Sequence, residues 1–136
     1  MTVRISITDA PVFAGIKKKE RQLVDSLATE VDMDAGSTIF EQGGRAKEFG
    51  VILEGVVTVM HDGEKIATLG PGDFFGEMAL LGVSSDDHRR TATVTAETKV
   101  ALEVMSVQEF SAALDRLPGV AAAIGRVAAE RAAENA

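Results

Sequence analysis

The sequence predicts a mainly β fold, a sandwich or jelly roll with flanking helices, and three observations carry that expectation. Residues 31–105 alternate apolar and polar side chains with a period of two, in short runs broken by glycine. Asp62-Gly63, a strong tight-turn signal, separates two of those runs. Stretches with helical spacing flank the region on both sides.

Taken in order, Phe13, Ile16, Leu23, Val24 and Leu27 follow Pro11 at helical spacing and place a helix over about 12–30. Phe49, Val51 and Leu53 then alternate up to Gly55, and Val57 and Val59 bracket Thr58. Runs Val56–His61 and Lys65–Leu69 form the arms of a hairpin turning at Asp62-Gly63. Gly70, Pro71, Gly72 and Asp73 break the next connection. Ala92 and Val94 alternate with threonines, and Val100, Leu102 and Val104 alternate with Lys99, Ala101 and Glu103.

Ser106 and Glu109 have the spacing of a capping box and open a helix over about 106–117. Phe110, Leu114 and Leu117 form its apolar stripe, and Pro118-Gly119 end it. An alanine-rich helix over about 119–134 carries Val120, Ile124 and Val127, with Arg126 and Arg131. So small and weakly apolar a helix is marginal alone and is expected to dock on the roll or on a ligand. No linker or repeat divides the chain, so residues 1–136 read as one domain.

The 136 residues allow one core, and an apolar share of 46 % is enough to fill it. There is no cysteine, which excludes disulfides, thiolate metal sites and a thiol nucleophile and fits a reducing compartment. The N-terminus lacks a signal-peptide apolar region, and no run approaches the roughly 20 apolar residues of a membrane helix. A cytoplasmic protein without membrane insertion is expected. A net charge of −7 argues against non-specific nucleic-acid binding. The basic run Lys17–Lys19 reads as a solvated helix face. In so negative a field, any phosphate site must be built from local donors.

Such donors are concentrated in residues 74–94. Gly76 and Glu77 fall at a helix start, and Arg90 falls just before a strand. A helix N-terminus exposes unpaired N–H groups, and a glycine there lets a ligand approach the backbone. The N–H groups of Met78 and Ala79 would point outward. Glu77 repels a phosphate but can accept from a sugar hydroxyl, while Arg90 supplies a fork that suits phosphate oxygens. From these two side chains alone, a surface ion pair is the plainer reading.

The surrounding pattern resembles the cyclic-nucleotide-binding domain. The matching residues are Phe13 to Ile16, Gly36 with Ile39 to Gly43, Val51 to Val59, Leu69 to Leu81, and Arg90 to Val94. The resemblance implies an eight-stranded β-roll with an N-terminal helix, a short cassette helix and two C-terminal helices. It implies a cassette that holds cAMP or cGMP as a ligand, without a metal or other cofactor. On that likeness Glu77 takes the ribose 2′-hydroxyl, and Gly76 shapes the turn. Arg90 and the N–H groups of Met78, Ala79 and Thr91 take the cyclic phosphate. Thr91 is compatible with either base, and the bacterial character of the motif favours cAMP.

Two features depart from the family pattern. The stretch from Leu80 to Arg90 is longer than usual and places Asp86 and Asp87 near the phosphate, beside His88. No aromatic residue follows Phe110, so the base lid falls to Arg131 or Arg126. Only His61 and His88 are available for a cupin-type metal centre, and no nucleophile–histidine–acid set or Walker loop is present, so no enzyme is expected. The last helix leaves no room for a recognition helix, so direct DNA binding is not expected. The remaining expectation is a sensor that signals to a protein partner or a second copy through its C-terminal helices. The alternative is a degenerate domain without ligand that serves as a protein-interaction module.

Overall fold

The computed structural model describes residues 4–44, 48–76, 90 and 92–134, excluding the side chains of residues 107, 128 and 131–134. The eight strands are β1 (Thr29–Met33), β2 (Thr38–Phe40), β3 (Glu48–Glu54), β4 (Val57–His61), β5 (Glu64–Leu69), β6 (Phe74–Phe75), β7 (Thr93–Ala96) and β8 (Val100–Ser106). They form two four-stranded sheets, ordered β1-β8-β3-β6 and β2-β7-β4-β5, with antiparallel pairing throughout. The mainly β roll expected from the sequence is the observed architecture.

Period two explains how the first sheet supports two cores. On β8, Val100, Leu102 and Val104 face the second sheet and pack with Ile52, Val57, Phe75, Val94 and Ala96. Ala101 and Met105 face the other way, onto a helical layer that includes Phe13, Val24, Phe110, Leu117 and Ile124. β3 lies between both cores and is buried from Phe49 to Leu53. Gly50 is required there, because a Cβ would stand 2.8 Å from the ring of Phe75.

The hairpin turns where expected. Asp62 and Gly63 take φ values of 51° and 82°, which asparagine-like and glycine residues tolerate. Gln42 clamps this turn, its Nε2 donating to Asp62 Oδ1 at 2.6 Å while Asp62 N donates to Gln42 Oε1 at 2.8 Å.

The helical layer differs from the sequence reading in its boundaries. The residues expected on one helix over 12–30 are divided among a 3-10 turn at Pro11–Phe13, helix α1 (Lys18–Leu27) and the start of β1 at Thr29 and Glu30. Gly15, with φ of 82°, separates the first two. The Glu20 carboxylate opens α1 by accepting the Lys17 N–H at 2.7 Å. Helix α2 (Val107–Arg116) starts at the expected capping box, with Glu109 N donating to Ser106 Oγ at 3.2 Å and Ser106 N to Glu109 Oε1 at 2.8 Å. Pro118 does not end it. Leu117 is the C-cap of α2, and Pro118 is the first residue of α3 (Pro118–Glu134), where a missing N–H costs nothing. Among the described residues, no helix is long and apolar enough to cross a membrane. The cassette helix expected after Gly76 lies outside the described residues.

A buried arginine cradle

Arg90 is the one charged side chain among the described residues that is buried, with 6 % of its surface exposed. An arginine is seldom so enclosed unless its fork is held. Its backbone extends the pairing of β2 with β7. Arg90 N donates to Gly44 O at 2.7 Å, and Gly43 N donates to Arg90 O at 2.9 Å. Beside them, Gln42 N donates to Thr93 Oγ1 at 3.0 Å. The residue is therefore strand-like in placement, as its position before β7 suggested.

The side chain is held by three elements. Nη2 donates to the backbone carbonyl of Glu48, at the start of β3, at 2.6 Å. The guanidinium carbon stands 3.5 Å from the centroid of the Phe40 ring, at the end of β2. Gly76 closes the third side. A Cβ there would collide with Arg90 Nη1 and stand 2.7 Å from the Glu48 carbonyl oxygen. The backbone at Gly76 also has φ of 90°, which only glycine adopts without strain. Gly76 is thus required for two independent reasons.

Of the residues singled out from sequence, the structure brings Gly76 and Arg90 into contact across a separation of fourteen positions. Glu77, Met78, Ala79 and Thr91 lie outside the described residues, as do Asp86, Asp87 and His88. Arg126 is exposed on α3, a helix that packs into the helical layer through Val120 and Ile124. The Arg131 side chain is not described. Sequence reasoning missed Phe40 and the Glu48 carbonyl as partners of Arg90. It also assigns no role to Gly43 and Gly44, although they anchor the arginine's backbone.

A different region gathers carboxylates. On the helix-facing side of the first sheet, Glu103 of β8 stands opposite Glu30 of β1 and near Asp25 of α1. Burial raises the pKa of its carboxyl above the ordinary glutamate range. The negative charges of Asp25 and Glu30 raise it further, and Arg4 opposes them. Arg4 joins this patch from the N-terminal segment, 2.6 Å from Glu30 and 3.5 Å from Glu54. Next to it, a recess of about 290 Å³ is lined by Asp32, Glu54, Thr98, Lys99, Val100 and Ala101. It shares no residue with the arginine cradle, and its two carboxylates disfavour an anion.

A family model described as the cyclic nucleotide-binding domain matches residues 30–116. The chain belongs to the cyclic-nucleotide-binding domain family. It is 30 % identical over 106 residues to a cAMP-dependent protein kinase regulatory subunit of Schizosaccharomyces pombe, covering 77 % of this chain and 25 % of that protein. It is 32 % identical over 128 residues to the human potassium/sodium hyperpolarization-activated cyclic nucleotide-gated channel 4, covering 92 % of this chain and 10 % of the channel. Among solved structures, the catabolite activator protein of Thermus thermophilus superposes with a TM-score of 0.79 at 30 % identity, covering 93 % of this chain and 60 % of that one. The regulatory subunit of a cAMP-independent protein kinase A from Trypanosoma brucei superposes with a TM-score of 0.77 at 26 % identity, covering 89 % of this chain and 42 % of that one. The chain spans a quarter or less of the length of these two curated relatives.

Proposed function

We propose that this chain is a cyclic-nucleotide sensor module that takes cAMP in preference to cGMP. The observation that carries the reading is the buried guanidinium of Arg90, held by Phe40 and the Glu48 carbonyl against a glycine that can be no other residue. A fixed cationic fork is what a cyclic phosphate requires in a protein of net charge −7. In this reading Arg90 binds the phosphate with the N–H groups of Met78, Ala79 and Thr91. Glu77 accepts from the ribose 2′-hydroxyl, and Arg131 or Arg126 covers the base. The preference for cAMP draws support from the regulatory subunit of a cAMP-dependent kinase among the relatives. The chain acts as a cytoplasmic binding module rather than as a catalyst.

The signal passes to α2 and α3. Phe74 and Phe75 of β6 immediately precede Gly76 and point to opposite faces of their sheet. Phe75 contacts Phe40 beneath Arg90, at 5.1 Å between ring centroids. Phe74 contacts Phe49 at 5.5 Å, and Phe49 stacks on Phe110 of α2 at 4.3 Å. A shift at Gly76 on ligand binding is thereby felt in the helical layer. The ligand drives it only by binding one arrangement more tightly than the other. A protein partner, or a second copy of the chain, reads the helices.

A second reading has one observation in its favour. The trypanosome neighbour is the regulatory subunit of a cAMP-independent kinase, and a triple-substituted form of it is bound to cAMP in the A site. The fold therefore accompanies both conditions, and Asp86 and Asp87 favour a module that holds no nucleotide and binds only protein. Calorimetric titration of cAMP and cGMP separates the two readings. The sensor reading expects saturable heat from cAMP and weaker binding of cGMP; no heat from either at millimolar concentration sinks it. Hydrogen exchange on adding cAMP should slow in α3, and unchanged exchange there removes the helix signal.

A further inference from the structure

We propose that Phe40 is the residue that positions Arg90 for its ligand, an inference that rests on Arg90 being the phosphate-binding group. A chain of contacts leads outward from the core to the arginine. Gly50 leaves room on β3 for the ring of Phe75. Phe75 in turn meets Phe40 in an edge-to-face contact, with an interplanar angle of 68°. Phe40 is only half-buried, and its ring lies under the guanidinium at van der Waals distance. The pairing of β2 with β7 has a register shift between Thr38 and Phe40, opposite Thr95 and Val94. A bulge of this kind re-aims a side chain. Here it accompanies a phenylalanine placed against the arginine rather than only against the core.

The same short segment then holds the arginine's backbone through Gly43 and Gly44. Gln42 fixes that segment to the Asp62 turn. Side chain and main chain of Arg90 are thus registered by one piece of β2 and the turn after it. The Glu48 carbonyl orients one nitrogen of the fork, and the ring fixes the position of its carbon. An aromatic face attracts a cation without neutralising it, so the fork keeps its full charge for an anion. Phe40 touches no ligand in this account. Its work is done through Arg90.

Ring fluorination tests this without changing the shape of the side chain appreciably. Phenylalanine at position 40 is replaced by mono-, di- and trifluorinated phenylalanine, which progressively weakens the negative face of the ring, and cAMP affinity is measured by calorimetry. Affinity should fall stepwise, by about 3- to 30-fold at the trifluorinated ring. The same series in an Arg90→Ala background should be flat. An affinity that does not change along the series overturns the inference, and so does an equal fall in the Arg90→Ala background. If the unsubstituted protein binds cAMP and Arg90→Ala weakens that binding, a flat series removes the role of Phe40 alone. If the unsubstituted protein binds no cyclic nucleotide, the functional reading fails and this inference fails with it.

Discussion

Arg90, just before β7, and Glu103, in the middle of β8, are both ionisable groups drawn away from water, and the molecule treats them in opposite ways. Arg90 is met by an aromatic face, an oriented carbonyl and a glycine that makes room for it. Glu103 is met by like charge from Asp25 and Glu30, and its Oε2 is shielded from solvent with no hydrogen-bond partner among the described residues. Burying a charge is costly unless its surroundings are arranged for it. At Arg90 the described neighbours are so arranged, from the bulge in β2 to the positive φ of Gly76. At Glu103, among the described residues, only Arg4 answers the charge, from a segment tied to β3 by an Ile5 N to Leu53 O bond of 3.0 Å. The contrast sets a buried cation whose described surroundings are built around it against a carboxyl whose charged form its surroundings disfavour.

Substitutions on either side put this contrast to the test. The largest effect is expected at Gly76. Gly76→Ala imposes a strained φ and drives a methyl group into Arg90 and the Glu48 carbonyl, so stability in urea should fall by about 1–3 kcal/mol or more. A neutral result would mean that the cradle is loosely packed. Next comes Arg90→Lys, which keeps the charge and loses the fork. Cyclic-nucleotide affinity should fall about tenfold, while an unchanged affinity would reduce Arg90 to a point charge.

The smallest effect belongs to the other side of the comparison. Glu103→Gln should stabilise the fold at pH 7 by less than about 1 kcal/mol, because solvent screens part of the charge. The sign follows from linkage. A carboxyl whose pKa is raised by folding binds its proton more tightly in the folded state. Its contribution is fully favourable below the ordinary glutamate value of about 4.3 and is lost as pH rises through the folded value. The advantage of Glu103→Gln in thermal melts should therefore appear at neutral pH and vanish at about pH 3. An advantage of equal size at both pH values would show that charge is not the cause.

Local signals in the chain were legible, and long-range ones were not. The Asp62-Gly63 turn and the Ser106–Glu109 capping box depend on residues within four positions of each other, and both are found as expected. Strands β3, β4, β5, β7 and β8 were legible because alternation reports which face is buried, whereas the short β2 and β6 are too brief to show a period. Gly76 and Arg90 could be singled out as types, although only the folded sheets put them side by side. Phe40 could not be found, since its pairing with a residue fifty positions away depends on a register shift that no local pattern encodes. Glu103 reads as one polar member of an alternating strand, whereas helices cover that face and turn its charge into a cost. Pro118 reads as a stop yet begins a helix, because proline serves both positions equally well by local rules.

Binding of a cyclic nucleotide's phosphate by Arg90 is open to direct measurement. Calorimetric titration of cAMP into the wild-type protein and Arg90→Ala, with adenosine as the ligand that lacks the phosphate, addresses it directly. A charge-assisted bond of about 1.5–3 kcal/mol predicts a loss of roughly one to two orders of magnitude in cAMP affinity and no change for adenosine. Equal cAMP affinity in the two proteins, or an equal loss for cAMP and adenosine, would contradict it.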